Sequence, residues 1–480
     1  MANLSVTAAT PRSSSQSSNI KRALEGSIPA VLLGFAAPSL VQMLVQSSVA
    51  VVEVLFLSRF GTDALAGISA VFPVVTLFVA LTIVGLAGGV SSAIAQSLGA
   101  GKPREAEALA IHAVVLALIL GAISTSIVLG FGPSIYRALG AKGASLDQAV
   151  AYSNIVFGGS ISLWLLGTLT AIVRGTGDMK SPARIAMARA IVALPLFAIL
   201  IFGWGPIPAL GIVGSAIAML IYYTIGVLGL IAHLQSSRSI IHLAPFSFAL
   251  QWEFFARILK VAALSSAQLI VNNVILIAIT AYVARFGIEA LAGYGLASRL
   301  ELLISTMVLG FGVGTTTMVG ICVGAGLAER ARRVTLVSCA LAAILFETVG
   351  ICVAISGGWI IGHFTNVESV MFAGAAYFHA LGAVCGFVAV SAMLFAAYQG
   401  WGRAVAPLMV SLLRLAVVLV GGWIVLLQPA ARLEWLYYMA AISVVLAALV
   451  LGLVFLRWPP QSRRRFSPWR EKLRYFRANG

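Results

Sequence analysis

From Ile28 to residue 456 the chain is a succession of long apolar blocks, separated by short polar or glycine-rich breaks. Twelve blocks can be marked, at roughly 28–57, 64–98, 106–132, 151–173, 184–204, 210–233, 256–284, 290–323, 334–357, 370–398, 405–428 and 435–456. At a rise of 1.5 Å per residue, about 20 residues of helix cross the ~30 Å of hydrocarbon in a bilayer. Strands of an outer-membrane barrel would instead alternate in polarity with period two, and these blocks do not. The pattern predicts an all-α polytopic membrane protein with twelve transmembrane helices. The first block is longer than the core of a signal peptide, so no cleavage is expected.

Composition agrees with the pattern. Of 480 residues, 60% are hydrophobic and 10% charged, with a mean hydropathy of +1.03, whereas a soluble domain carries about 25% charged residues. Cys322, Cys339, Cys352 and Cys385 all fall inside apolar blocks. They read as small hydrophobes, with no spacing for a metal or a disulfide framework. The polar, Ser/Thr-rich first 20 residues predict disorder.

The net charge of +16 raises nucleic acid as a partner, but its placement points to a membrane. One side of the predicted topology holds only Arg59, Arg137, Lys142, Arg285 and Arg432. The side of both termini holds the rest outside the spans, including Lys102, Arg174, Arg330, Arg332 and Arg333. By the positive-inside bias both termini are expected in the cytoplasm. The tail RWPPQSRRRFSPWREKLRYFR adds cations and aromatic residues to that side. It suits anionic headgroups or serves simply as a solvated topological anchor.

The chain is one half written twice. RFGTDALAG at 59 matches RFGIEALAG at 285, an offset of 226. VGLAGGVSSAIAQSLGAG at 84 matches LGFGVGTTTMVGICVGAG at 309, and RGTGDMKSP at 174 matches QGWGRAVAP at 399, both at 225. With six spans per half, the copies enter from the same side and form parallel repeats about an axis along the membrane normal. The expected organisation is a polar N-terminal segment 1–27, a first lobe 28–233, a cytoplasmic linker 234–255, a second lobe 256–456 and a basic tail 457–480. Gly99, Gly101, Gly324 and Gly326 are read as helix caps. Pro182 and Pro407 suit first turns of helices. The glycines of 85–89 and 310–314 suit close helix packing or bending.

These paired turns, loops and LGAG/VGAG helix ends resemble the multidrug and toxic compound extrusion (MATE) family over about residues 28–456, as does Pro38 followed 15 residues later by Glu53. The resemblance implies two six-helix lobes in a V, exporting organic cations or other amphiphiles against an inward flow of protons or sodium. Sodium-driven members carry a glutamate in span 7 and an aspartate in span 10. Here Asn272 stands at the first position and span 10 has no acid. Another branch places its coupling carboxylates on spans 1 and 5. Glu53 matches the first, while span 5 reads IVALPLFAILIFG, with no carboxylate. The resemblance therefore implies a single acid in the first lobe.

Read by themselves, the residues give Glu53 the sharpest role. It sits eight residues, ~12 Å, before the Gly61 turn, so it must face the lobe interior or a watery cavity. Burial penalises its charged form and makes it a candidate proton carrier. The alternative is a structural hydrogen bond or a salt bridge to Arg59. Pro38, ~22 Å along the same helix, is a candidate bending point. Tyr152 and Asn154 are secondary candidates for partners of Glu53. Cavity or substrate candidates are Gln42, Gln46, Gln268, Asn272 and Asn273, with Arg299 and Glu301 in SRLEL and Tyr377 with His379 in span 10. Gln46 and Asn272 are 226 apart and so occupy equivalent faces. Glu347 reads as a structural or interhelix group.

No nucleotide-binding loop, catalytic triad or metal cluster is legible, and Gly175 and Gly177 lack the strand–turn–helix setting of a dinucleotide site. The expected activity is not enzymatic. It is secondary antiport of amphiphilic, often cationic compounds by alternating access, with no cofactor and with H+ as coupling ion, Na+ being the alternative. A flippase for lipid-linked sugars or a similar lipid remains as a second reading. The expected partners are small amphiphilic solutes and membrane lipids, not nucleic acid. The chain is expected to act as a monomer in the plasma membrane, the inner membrane of a bacterium.

Overall fold

Backbone inside hydrocarbon finds no water, so each apolar block must close its hydrogen bonds within a helix. The computed structural model describes residues 14–57, 59, 62–243 and 249–457. Its helices run α1 (Ser14–Glu25), α2 (Ile28–Leu57), α3 (Thr62–Ala80), a π-helical turn (Leu81–Leu86), α4 (Ala87–Gly99), α5 (Pro103–Ala138), α6 (Ala144–Gly158), α7 (Ser160–Gly175), α8 (Lys180–Phe202) and α9 (Gly211–Gln235). The second half holds α10 (Trp252–Val283), a 3-10 turn (Ala284–Phe286), α11 (Ile288–Gly324), α12 (Ala328–Gly362), α13 (Glu368–Gly382), α14 (Cys385–Gly400), α15 (Val405–Leu427) and α16 (Leu433–Arg457). Among the described residues, ten spans are long and apolar enough to cross a membrane, and twelve when each of two bent pairs counts as one.

The bent pairs fall at matching places in the repeat. α6 and α7 meet at 49° and α13 and α14 at 55°. Breaking a helix inside a membrane frees backbone groups that need new partners. In the first half, Thr125 donates to the Phe157 carbonyl at 2.6 Å and Ser160 to the Gly121 carbonyl at 2.8 Å. In the second, the Gly386 N–H at the start of α14 donates to Glu347 Oε2 at 2.6 Å. Glu347 therefore caps a helix in mid-span.

The two lobes meet through glycines. Gly85 and Gly89 press on α10, where an ideal Cβ would come within 2.2 Å of Ser266 Oγ and 2.7 Å of the Ile258 carbonyl. Their counterparts Gly310 and Gly314 press on Leu40 and Phe35 of α2. At the ends of α4 and α11 the approach is backbone to backbone. A Cβ on Gly99 would lie 2.1 Å from the Ile321 carbonyl oxygen, and one on Gly324 would lie 1.9 Å from that of Gln96. These contacts are related by the 225-residue offset, so they lie about the pseudo-twofold axis. They also correct one reading: Gly99 and Gly324 permit helix contact, and only Gly101 (φ 71°) and Gly326 (φ 74°) form the left-handed caps.

A second correction concerns the N-terminus. Residues 14–25 form helix α1, although disorder was predicted for the chain up to residue 20. Ala23 is buried in the core between the lobes, and Arg330 of α12 closes the helix by donating to the carbonyls of Ala23 (3.0 Å) and Gly26 (2.5 Å). The composition of the segment carried no sign of this distant partner. Residues 1–13, the Gly61 turn, 244–248 of the linker and the basic tail from Trp458 lie outside the described residues. α2 runs unbroken through Pro38.

Candidate functional site

Glu53 reaches the interior of the first lobe from the outer part of α2. It is 4% exposed. Its Oε1 accepts two hydrogen bonds, from the Tyr152 hydroxyl of α6 at 2.8 Å and from Ser215 Oγ of α9 at 2.6 Å. Among the described residues no ion pair includes it, and Arg59 is exposed rather than paired with it. A carboxyl held by two hydroxyls, with no basic side chain paired to it among the described residues, can exist there either as carboxylate or as neutral acid. Asn154 is exposed on another face of α6.

The second lobe repeats the tyrosine but not the acid. Tyr377 stands 225 residues after Tyr152, and its hydroxyl donates to Glu301. Glu301 comes from α11, the counterpart of the α3–α4 run, whereas the counterpart of Glu53 is Ile279. Glu301 also differs in having a cation near it: Arg414 of α15 acts on it electrostatically and donates to Ser443 Oγ at 3.3 Å. The two lobes thus hold a carboxyl against the same tyrosine, one also bonded to a serine and one under the longer-range influence of an arginine that bonds elsewhere.

Between the lobes a cavity lies beside the glycine contacts, lined by Met43, Ser91, Arg174, Val308, Phe395 and Gln399 among others. Below it the lobes are joined by polar bonds. Ser91 and Thr317 are 3.3 Å apart, Ser92 donates to the Gln399 carbonyl at 2.5 Å and Gln96 to the Gly400 carbonyl at 2.8 Å. Arg257 of α10 pairs with Glu105 of α5 at 2.5 Å.

Arg174 was counted in the sequence as a cation on the membrane surface. It is instead buried in the last turn of α7, 6% exposed, with Nη2 donating to Gln42 Oε1 at 3.0 Å. Its repeat counterpart is Gln399, whose Nε2 donates to Ser265 Oγ (2.9 Å) and the Val84 carbonyl (3.2 Å).

The remaining candidates are scattered. Gln268 is buried, with no hydrogen-bond partner for its Oε1. Gln46 is half-buried, Asn272 exposed, and Asn273 bonds its own helix at the Leu269 carbonyl (2.9 Å). Arg299 and His379 are exposed, although Glu301 and Tyr377, two residues away from each, are inward and joined. A spacing of two on a helix turns side chains by ~200°, so neither pair shares a face. Ser215 was missed: in GIVGSAIA it reads as a small packing residue. Arg174 was missed as a site residue because RGTGD reads as a turn, although its alignment with QGWGR put it opposite a glutamine.

The family model described as MatE matches residues 38–199 and 265–424, one segment in each half. A protein named FAD transporter from Shewanella oneidensis is 31% identical over 320 residues, covering 66% of this chain and 70% of that protein. A probable multidrug resistance protein NorM from Thermotoga maritima is 24% identical over 391 residues, covering 79% and 82%. Among solved structures, a MOP superfamily transporter from Pyrococcus furiosus superposes with a TM-score of 0.84. It is 23% identical and the match covers 91% of this chain and 96% of that one.

Proposed function

The chain belongs to the MatE family and is an integral membrane transporter, and from that premise we propose that it is a proton-driven antiporter exporting amphiphilic organic compounds. The observation that carries the reading is Glu53: a buried carboxyl bound by Tyr152 and Ser215, with no ion pair among the described residues. Proton loading from outside and release to the cytoplasm at this group would bias the two lobes between their alternate arrangements. Sodium is the less suited ion, since the oxygen ligands gathered here are few and two of them are committed as donors.

With the termini in the cytoplasm, as the charge asymmetry supports, the glycine contacts and the Ser91, Ser92 and Gln96 bonds close the cytoplasmic end. Glu53 and the cavity then lie on the outward side of that closure. The names of the relatives, an FAD transporter and multidrug resistance proteins, support a substrate with a sizeable apolar or aromatic body.

The test uses everted vesicles, with accumulation of ethidium and of FAD followed under imposed proton or sodium gradients. Glu53→Gln is expected to lose gradient-driven accumulation of whatever the wild type moves, about tenfold or more, at unchanged protein level. Undiminished transport by that variant, or accumulation driven by sodium at matched pH, would overturn the proposal.

A further inference from the structure

Arg174 is a buried charge that the proton mechanism leaves unused, and it lines the cavity between the lobes. Its Nε is buried and has no hydrogen-bond partner, while Nη2 meets only the neutral Gln42. Among the described residues no ion pair includes it. A guanidinium left without an anion in a low-dielectric site is costly, so its placement calls for an explanation. Packing supplies none, because the counterpart at the same helix end is the neutral Gln399, whose amide donates to Ser265 Oγ and the Val84 carbonyl.

The position of the group supplies one. Arg174 lines the cavity between the lobes, and among the described residues no aspartate or glutamate lines it. The surrounding surface is apolar, with Met43, Val308 and Phe395, and the small hydroxyls Ser91 and Thr316 beside it. A cationic substrate would meet a like charge there and no acid. An anionic one would complete the arginine.

Taking the cleft as the substrate path, which rests on the transport reading above, we infer that the base of the cleft is an anion site. Arg174 receives the phosphate or carboxylate of an amphiphilic substrate whose apolar body lies on Met43, Val308 and Phe395. Nε and Nη2 form one edge of the guanidinium, and once Gln42 turns aside that edge offers two parallel donors to two oxygens. Gln42 then acts as a neutral stand-in that holds the arginine while the site is empty. The substrate class narrows from amphiphiles in general to those bearing a negative group.

The test is equilibrium binding, without any gradient, to the full chain in nanodiscs. FAD and riboflavin share the flavin ring, but only FAD carries phosphate. The wild type is expected to bind FAD at least about tenfold more tightly than riboflavin. Arg174→Gln should bring the two within about twofold, while Arg174→Lys keeps part of the preference because it retains the charge without the fork. A wild type that binds both alike, or Arg174→Gln and Arg174→Lys that both keep the full preference, overturns the inference. The comparison within the wild type stands even where a variant fails to fold.

Nanodiscs of phosphatidylcholine alone and of phosphatidylcholine with phosphatidylglycerol separate two sources of the same chemistry. A preference kept in both assigns the site to a soluble anion. A preference lost only with phosphatidylglycerol assigns it to a lipid headgroup, which overturns the soluble substrate. Because no gradient is present, failure here leaves the proton mechanism standing, and failure of Glu53→Gln to stop transport leaves the anion preference standing.

Discussion

Tyr152 and Tyr377 occupy one position of the repeat, yet the carboxyls they hold arrive from different helices. Arg414 acts on Glu301, whereas Glu53 is held by Tyr152 and Ser215. If only the second kind of carboxyl exchanges a proton during transport, the two tyrosines are not equivalent. Tyr152→Phe should slow gradient-driven transport by about tenfold, the worth of one such hydrogen bond, and move its pH profile. Tyr377→Phe should leave the profile in place. Equal behaviour of the two variants would remove the case for the first lobe. Glu53 could be found in the sequence because an acid inside a long apolar block needs a reason. Ser215 could not, since a serine among glycines and alanines has several ordinary reasons and its partner lies 162 residues away.

At the scale of elements, helix ends and breaks are held by groups that the hydropathy pattern treats as incidental. Asp178, in the turn between α7 and α8, accepts from the N–H groups of Lys180 and Ser181 at 3.1 and 3.0 Å and from Ser181 Oγ at 2.7 Å. His233, in the last turn of α9, lies 3.3 Å from its other side. Burial pushes the Asp178 carboxyl up, but the His233 imidazole beside it and the bonds from Ser181 outweigh it and hold the group well below the usual carboxylate range. A carboxyl depressed in the folded state stabilises the fold at any pH above its unfolded value, about 3.9. That contribution disappears only as acid titrates the folded group. Asp178→Asn should therefore lower the melting temperature of the detergent-solubilised protein by a few degrees at pH 7. The margin should close in strong acid, and a margin that widened there would contradict the assignment. The bends at Gly159 and Val384 were not legible either. No charged residue marks either break, and Thr125 on a neighbouring helix, Ser160 at the first break and Glu347 make the breaks tolerable.

At the scale of the molecule, the two lobes are joined at one end by glycines whose contacts obey the repeat. A side chain at Gly324 would drive into the Gln96 backbone, which has no room to yield. Gly324→Leu should force that end apart. It should raise the labelling of a cysteine placed at Ser91 by a cytoplasmic maleimide, and lower transport at least about tenfold. Unchanged labelling would mean that the glycine contact does not hold the closure. The sequence by itself determined the class of fold, the spans and the duplication, because hydrophobic length and internal matches are local properties of the chain. It also singled out Glu53. Only the tertiary structure decided which groups face one another: Tyr152 and Ser215 on Glu53, Tyr377 on Glu301, and Arg174 turned from a supposed surface cation into a buried charge of the cleft. The physical reason is that a helix presents every residue to some face, and the pairing of faces is set by packing across hundreds of residues, which spacing along one chain does not record.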